Sequence, residues 1–177
     1  NQHGGINLMR IVRFDNNGTP CHGILEGDTI HDVDGGLFDG LNKTGETRAL
    51  DSVKLMIPLE PKVFYAAGLN YAEHVKEQAE LRGEEPKLPA KPDIGYRANN
   101  ALIAHDEDVV IPANAPDTVQ YEGEIVAIVG KTAKNLTKEN ALSCIMGYTV
   151  GNDVSERTWQ RDDRTMWRAK NTDPFKP

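Results

Sequence analysis

The stretch Tyr121-Glu122-Gly123-Glu124-Ile125-Val126-Ala127-Ile128-Val129-Gly130, read with Gly151-Asn152-Asp153-Val154, decides how this chain folds. A strand reverses side-chain direction at every residue, so Glu122 and Glu124 share a face, about 6–7 Å apart. Val126 and Ile128 continue that face as an apolar stripe, which puts the two acids at the end of a surface that reads as buried. A second strand, Tyr148–Asn152, delivers Asp153 at its end. Buried carboxylates repel one another and are costly to desolvate unless a cation or a shared proton compensates. A divalent cation is the simplest compensation. A donor set made only of oxygens, with no Cys or His nearby, selects Mg²⁺ or Mn²⁺ before Ca²⁺ and argues against zinc. The plainer reading of two alternating acids is a solvated strand edge or half of a salt bridge.

Outward from this pair, the N-terminal side reads as short strands joined by polar turns: Met9–Phe14, Cys21–Leu25, Thr29–Val33 and Val53–Ile57. Asp15-Asn16-Asn17-Gly18 and Asp34-Gly35-Gly36 supply the turn chemistry. Pro58 and Pro61 bracket a boundary, because proline interrupts ladders and restricts the residue before it. The expected organisation is a small β-rich unit over 9–60 and a larger one over 61–177. The larger one opens with the apolar run Val63–Ala67. Asn70 then reads as a helix N-cap with Glu73 completing an Asn version of the capping box, for a helix from Tyr71 to about Leu81. A Pro-rich loop follows through Pro86, Pro89 and Pro92. Short strands around Leu102 and Val109–Ile111 lead into a long strand, Val119–Val129. Thr137 reads as the cap of a helix from Lys138 to Met146.

Composition narrows the function classes. The 177 residues carry a formal net charge of −7, with no Lys/Arg run, which argues against a nucleic-acid partner. Cys21 and Cys144 are too few and too far apart for a disulfide framework and fit a reducing compartment. No segment approaches the ~20 apolar residues of a membrane span, and the polar start is no signal peptide. Met9 reads as a possible initiator behind an eight-residue extension. The expectation is a soluble, cytoplasmic protein.

Other residues carry chemistry only in company. His74 and Glu77 share a helix face, and a carboxylate that orients an imidazole is the usual arrangement for a histidine general base. Arg157 and Gln160, also three apart, present a guanidinium and an amide that can grip a carboxylate or keto oxygen. Lys170 can polarise a carbonyl or stabilise an enolate. Alone, each reads better as a surface feature. Trp159 and Trp167 read as packing residues and His105 as a turn residue. No Gly-x-Ser-x-Gly elbow, phosphate-cradling loop or Cys/His zinc spacing is present.

Gly68-Leu69-Asn70-Tyr71-Ala72-Glu73-His74, Tyr121-Glu122-Gly123-Glu124, Gly147-Tyr148-Thr149, Asn152-Asp153-Val154-Ser155 with Arg157 and Gln160, and Ala169-Lys170 together resemble the fumarylacetoacetate hydrolase family in order and spacing. The match covers roughly 61–177, and the part from Met9 resembles the small N-terminal domain of many bacterial members. The resemblance implies an α+β, β-rich fold: the small β domain followed by a mixed β-sandwich roll, generally dimeric. It implies that Glu122, Glu124 and Asp153 hold Mg²⁺ or Mn²⁺, with Ca²⁺ possible in their place. It implies that His74 with Glu77 and Lys170 are catalytic, and that Arg157 and Gln160 contact a small oxo-acid substrate.

The implied activity is metal-dependent hydrolysis of a C–C bond in an acylpyruvate or other 1,3-dioxo acid, with His74-activated water and a stabilised enolate. Decarboxylation, hydration or isomerisation of a 2-oxo acid, such as oxaloacetate or an intermediate of aromatic degradation, is the close alternative. A non-catalytic, metal-stabilised binding domain is the alternative of a different class. Two departures from the family pattern stand out. Arg97 takes the place of a lysine common in the Lys-Pro segment, and the chain stops at Pro177 where members continue, so the roll is expected to be incomplete.

Overall fold

A computed structural model describes residues 8–173, 175 and 176. Five strands make one antiparallel sheet: β1 (Arg10–Asn16), β2 (Thr19–Glu26), β3 (Thr29–Asp34), β4 (Asn42–Ala49) and β5 (Lys54–Leu55), in the order β4-β3-β2-β1-β5. Asn17 and Gly18 both take positive φ (53° and 85°), which makes the two-residue turn whose twist matches the flanking strands. Phe14 and Ile30 are buried on one face and Ile24 on the other, with the Arg48 guanidinium 4.9 Å above the Phe14 ring. Strand β4 is absent from the sequence reading. Its residues, Asn-Lys-Thr-Gly-Glu-Thr-Arg-Ala, have no apolar alternation, because an edge strand is held by its ladder to β3 and by the Arg48–Asp32 ion pair.

Beyond Pro61, β6 (Phe64–Gly68) pairs with β7 (Asp93–Arg97), and α1 (Ala72–Leu81) lies between them in sequence. The helix buries Val75 and Ala79. The expected capping box does not form: Tyr71 is the N-cap residue, in extended backbone and with no side-chain cap. Leu69 takes φ 51°, which turns the chain early and leaves Asn70 outside the first turn. Glu73 bonds Lys76 instead, at 2.7 Å. The Tyr71 hydroxyl accepts from the Ile125 amide at 3.2 Å, fastening the start of α1 beside the carboxylate stretch.

The expected strand Val119–Val129 is broken in two. Strand β8 (Val119–Gln120) pairs with β11 (Ser155–Glu156), and β9 (Gly123–Val129) pairs with β10 (Ile145–Asn152). Tyr121 and Glu122 fall in the gap of one arm, Asp153 and Val154 in the gap of the other. The side chain of Asn152 causes the break, since its Oδ1 accepts the Glu122 amide at 2.8 Å in place of a ladder carbonyl. Glu124, Val126 and Ile128 share the half-buried face of β9, as the alternation requires. The opposite face stays open, with Ile125, Tyr148 and Val150 exposed.

No α-helix spans Lys138–Met146. A short 3₁₀ turn covers Ala141–Cys144, and Ile145 already pairs with Val129 in β10, so ladder formation overrides helical periodicity. Val109–Ile111 forms no strand, and Leu102 makes an isolated parallel bridge to Lys176. Two short helices close the described chain, α2 (Arg157–Asp162) and α3 (Trp167–Asn171). The buried Glu156 carboxylate caps α2, accepting from the Thr158 and Trp159 amides. Trp159 packs inside under the Arg168 guanidinium, but Trp167 is exposed, contrary to its reading as a packing residue. Among the described residues the strands form a five-stranded sheet and three two-stranded ladders that do not close on one another. No helix among the described residues is long and apolar enough to cross a membrane.

Candidate metal centre

The interrupted hairpin brings together the three carboxylates singled out in the sequence. Ligand oxygens of Glu122, Glu124 and Asp153 all lie within 4.8 Å of one another. Glu122 and Asp153 face each other across the gap, held by the Asp153 amide donating to the Glu122 carbonyl at 2.9 Å. The Ser155 hydroxyl reaches Glu122 Oε1 at 3.1 Å and the Asp153 carbonyl at 2.7 Å. Glu124 stands at the start of β9, opposite Gly151, where the partner strand has no side chain to cover it.

Cations of the chain compensate two of the three acids. Asp153 takes a fork from Arg97 (Nε to Oδ1 3.1 Å, Nη2 to Oδ2 2.8 Å), Lys170 Nζ on Oδ2 at 3.0 Å and Lys176 Nζ on Oδ1 at 2.8 Å. Burial pushes the Asp153 carboxyl up, but Arg97, Lys176 and Lys170 outweigh it and hold the group far below the usual carboxylate range. Glu122 is likewise raised by burial and pulled below its ordinary value by Lys170 and Arg157. Glu124 differs. Among the described residues no hydrogen bond or ion pair reaches it, and burial together with the charges of Asp153 and Glu122 raises its pKa. A partly buried, uncompensated carboxylate beside two others, with oxygen donors only, fits a hard divalent cation.

The remaining candidate residues divide. Lys170 is buried on α3 and spans Glu122 Oε1 (2.8 Å) and Asp153. Arg157 Nη1 bonds both Glu122 and Gln160 Oε1, so the expected shared face of α2 exists, but the pair grips a glutamate of the cluster. His74 and Glu77 are exposed on α1, and no bond joins them among the described residues. His105 is exposed, with Asp106 at 3.5 Å. Lys176 is the residue that the sequence did not reveal. Its backbone is clamped by Ala101 and Ile103, and burial lowers its pKa to about 8 despite the Asp153 charge. Nothing local in Phe175-Lys176-Pro177 signals this, because the contact depends on the chain returning beside Ala101–Ile103.

Comparison with known proteins places this geometry in context. Residues 63–177 match the family profile described as fumarylacetoacetate (FAA) hydrolase C-terminal, and residues 9–58 match Rv2993c-like, N-terminal. Protein Rv2993c of Mycobacterium tuberculosis is 37% identical over 134 residues, which are 76% of this chain and 48% of that protein. The fumarylacetoacetate hydrolase domain-containing protein 2 homolog of Dictyostelium discoideum is 36% identical over 130 residues, 72% of this chain and 40% of that one. Among solved structures, a 5-carboxymethyl-2-hydroxymuconate delta-isomerase from Mycobacterium smegmatis superposes with a TM-score of 0.81 at 33% identity, over 96% of this chain and 64% of that chain. The chain therefore spans about half the length of these two curated relatives. With the carboxylates in place on its interrupted hairpin and most of its length matched by that profile, the chain belongs to the fumarylacetoacetate hydrolase family.

Proposed function

We propose that this protein is a Mg²⁺- or Mn²⁺-dependent enzyme of small oxo-acid chemistry, hydrolysing a C–C bond of an acylpyruvate-like substrate. The observation that carries the proposal is the convergence of Glu122, Glu124 and Asp153 with Glu124 uncompensated. A divalent cation held by these carboxylates would supply positive charge against both oxygens of a 1,3-dicarbonyl and against the enolate that C–C cleavage releases. Arg157, bonded to Gln160, and Lys170 both reach Glu122 of the cluster and are donors suited to a substrate carboxylate and keto oxygen. His74 is the general base for water in this reading, with Glu77 its orienting partner. That role requires α1 to bring the pair together and inward, hinged where Tyr71 meets β9.

A second reading has an observation of its own. The exposed, unjoined His74 and Glu77 leave no assembled base for water, and the superposing M. smegmatis protein is an isomerase. Enolate stabilisation without hydrolysis would then support isomerisation, tautomerisation or decarboxylation of a 2-oxo acid. The small-unit and catalytic-unit division near Pro61, cytoplasmic location and a homodimer belong to the same proposal.

The test is turnover of acetylpyruvate and oxaloacetate with Mg²⁺, with Mn²⁺ and with chelator, in wild type and His74→Ala. Chelator-sensitive release of two acids from acetylpyruvate, lost in His74→Ala with Mn²⁺ binding intact, supports the hydrolase. CO₂ release or tautomerisation of oxaloacetate that survives His74→Ala supports the second reading. Mn²⁺ binding without turnover across a wider oxo-acid panel would leave the non-catalytic domain instead.

A further inference from the structure

Asp153 has no acceptor capacity left. A carboxylate offers about four lone-pair sites. Here four donor contacts fill them: two from Arg97, one from Lys170 and one from Lys176. If Asp153 is to ligate a cation, one of these donors must leave. Arg97 holds both oxygens as a fork from the end of β7, with both side chains 9% exposed. Lys176 also donates to the Val154 carbonyl, and its own amide and carbonyl are bonded to Ala101 and Ile103. The Lys170 ammonium, whose backbone is held in α3, has no acceptor outside the cluster among the described residues: its two bonds go to Glu122 Oε1 and Asp153 Oδ2. Those are two of the three carboxylates that converge.

We infer that Lys170 and the divalent cation exchange: the Lys170 ammonium bridges Glu122 and Asp153 until metal binding displaces it, and displacement presents Lys170 to the substrate. Metal loading and delivery of the substrate-facing cation become one event. Lys176 and Arg97 remain on Asp153 throughout and hold its orientation. This inference rests on the metal reading above, and deepens it by assigning Lys170 two alternative partners.

The experiment uses the chain itself and Mn²⁺ as the probe. Lysines are methylated by formaldehyde and cyanoborohydride with and without saturating Mn²⁺, and each site is quantified by peptide mass spectrometry. Lys170 modification is expected to rise several-fold with Mn²⁺ while Lys176 stays protected. Unchanged or lower Lys170 modification with Mn²⁺ demonstrably bound overturns the exchange and leaves the metal centre standing. No Mn²⁺ binding at all overturns both.

A second arm compares Mn²⁺ affinity, by electron paramagnetic resonance, in Lys170→Met and Lys176→Met. Both variants remove one positive charge at nearly the same distance from Asp153, 3.0 and 2.8 Å. Lys170→Met also removes the charge 2.8 Å from Glu122, so simple charge removal would tighten binding in both variants and only a few-fold more in Lys170→Met. Exchange predicts that Lys170→Met tightens it about tenfold beyond Lys176→Met. Affinities within a few-fold of each other in folded variants overturn the proposal, and if either variant fails to fold, the wild-type labelling decides alone.

Discussion

Glu124 and Asp153 sit in one cluster but occupy opposite energetic positions. Asp153 is the counter-ion of three cations, two of them lysines almost wholly buried. Asp153→Asn leaves those cations without their anion and should cost about 3–5 kcal/mol of unfolding free energy, read from urea denaturation. Glu124 compensates nothing and is itself repelled, so Glu124→Gln should abolish Mn²⁺ binding while leaving the melting temperature of metal-free protein unchanged or higher. A stable Glu124→Gln that still binds Mn²⁺ would remove the ligand assignment.

Glu156 gives the pH dependence. Burial raises its carboxyl, but the bond from Thr118 and the amides of Trp159 and Thr158 pull it below its ordinary value of 4.5. A depressed folded pKa means that its stabilisation is fully present above the unfolded value and disappears as pH falls through the folded one. Glu156→Gln should therefore be less stable than wild type at pH 7, and the gap should narrow as pH falls below the ordinary value of 4.5, followed by denaturant midpoints.

At the scale of elements, the interrupted hairpin does the positioning. Two ladders, β8·β11 and β9·β10, hold the backbone on either side, and the Asn152 amide fills the gap between them. Glu122 and Asp153 can point at each other only because neither is locked into a continuous ladder. Asn152→Ala would leave the Glu122 amide unpaired, costing about 1–3 kcal/mol, and should weaken Mn²⁺ binding although Asn152 is no ligand. An affinity equal to wild type would show that the ladders alone fix the gap. The shared face of Glu124, Val126 and Ile128 was readable because side-chain reversal at every residue of a strand needs no tertiary information. The break was not, because an asparagine side chain substituting for a ladder carbonyl has no periodic signature. The same limit hid β4, a polar edge strand, and produced a helix over Lys138–Met146 where pairing of Ile145 with Val129 prevails.

At the scale of the molecule, the outer face of β9·β10 carries Ile125 opposite Val150, and Tyr148 opposite Ala127, all exposed. Contiguous apolar surface of this kind drives association. The 177-residue chain should self-associate in light scattering, and Ile125→Lys with Val150→Lys should reduce association without changing Mn²⁺ affinity, since both side chains face away from Glu124. What the sequence by itself determined is local: the strand that orients Glu124, the turns of the first sheet, and the motifs that resemble the family. Their physical basis is alternation and turn chemistry, which act over a few residues. The tertiary structure decided how the cluster is neutralised. Arg97 arrives from β7, Lys170 from α3 and Lys176 from a segment returning beside Ala101–Ile103, and charges so distant in sequence meet only when the backbone closes around a carboxylate that cannot be buried alone.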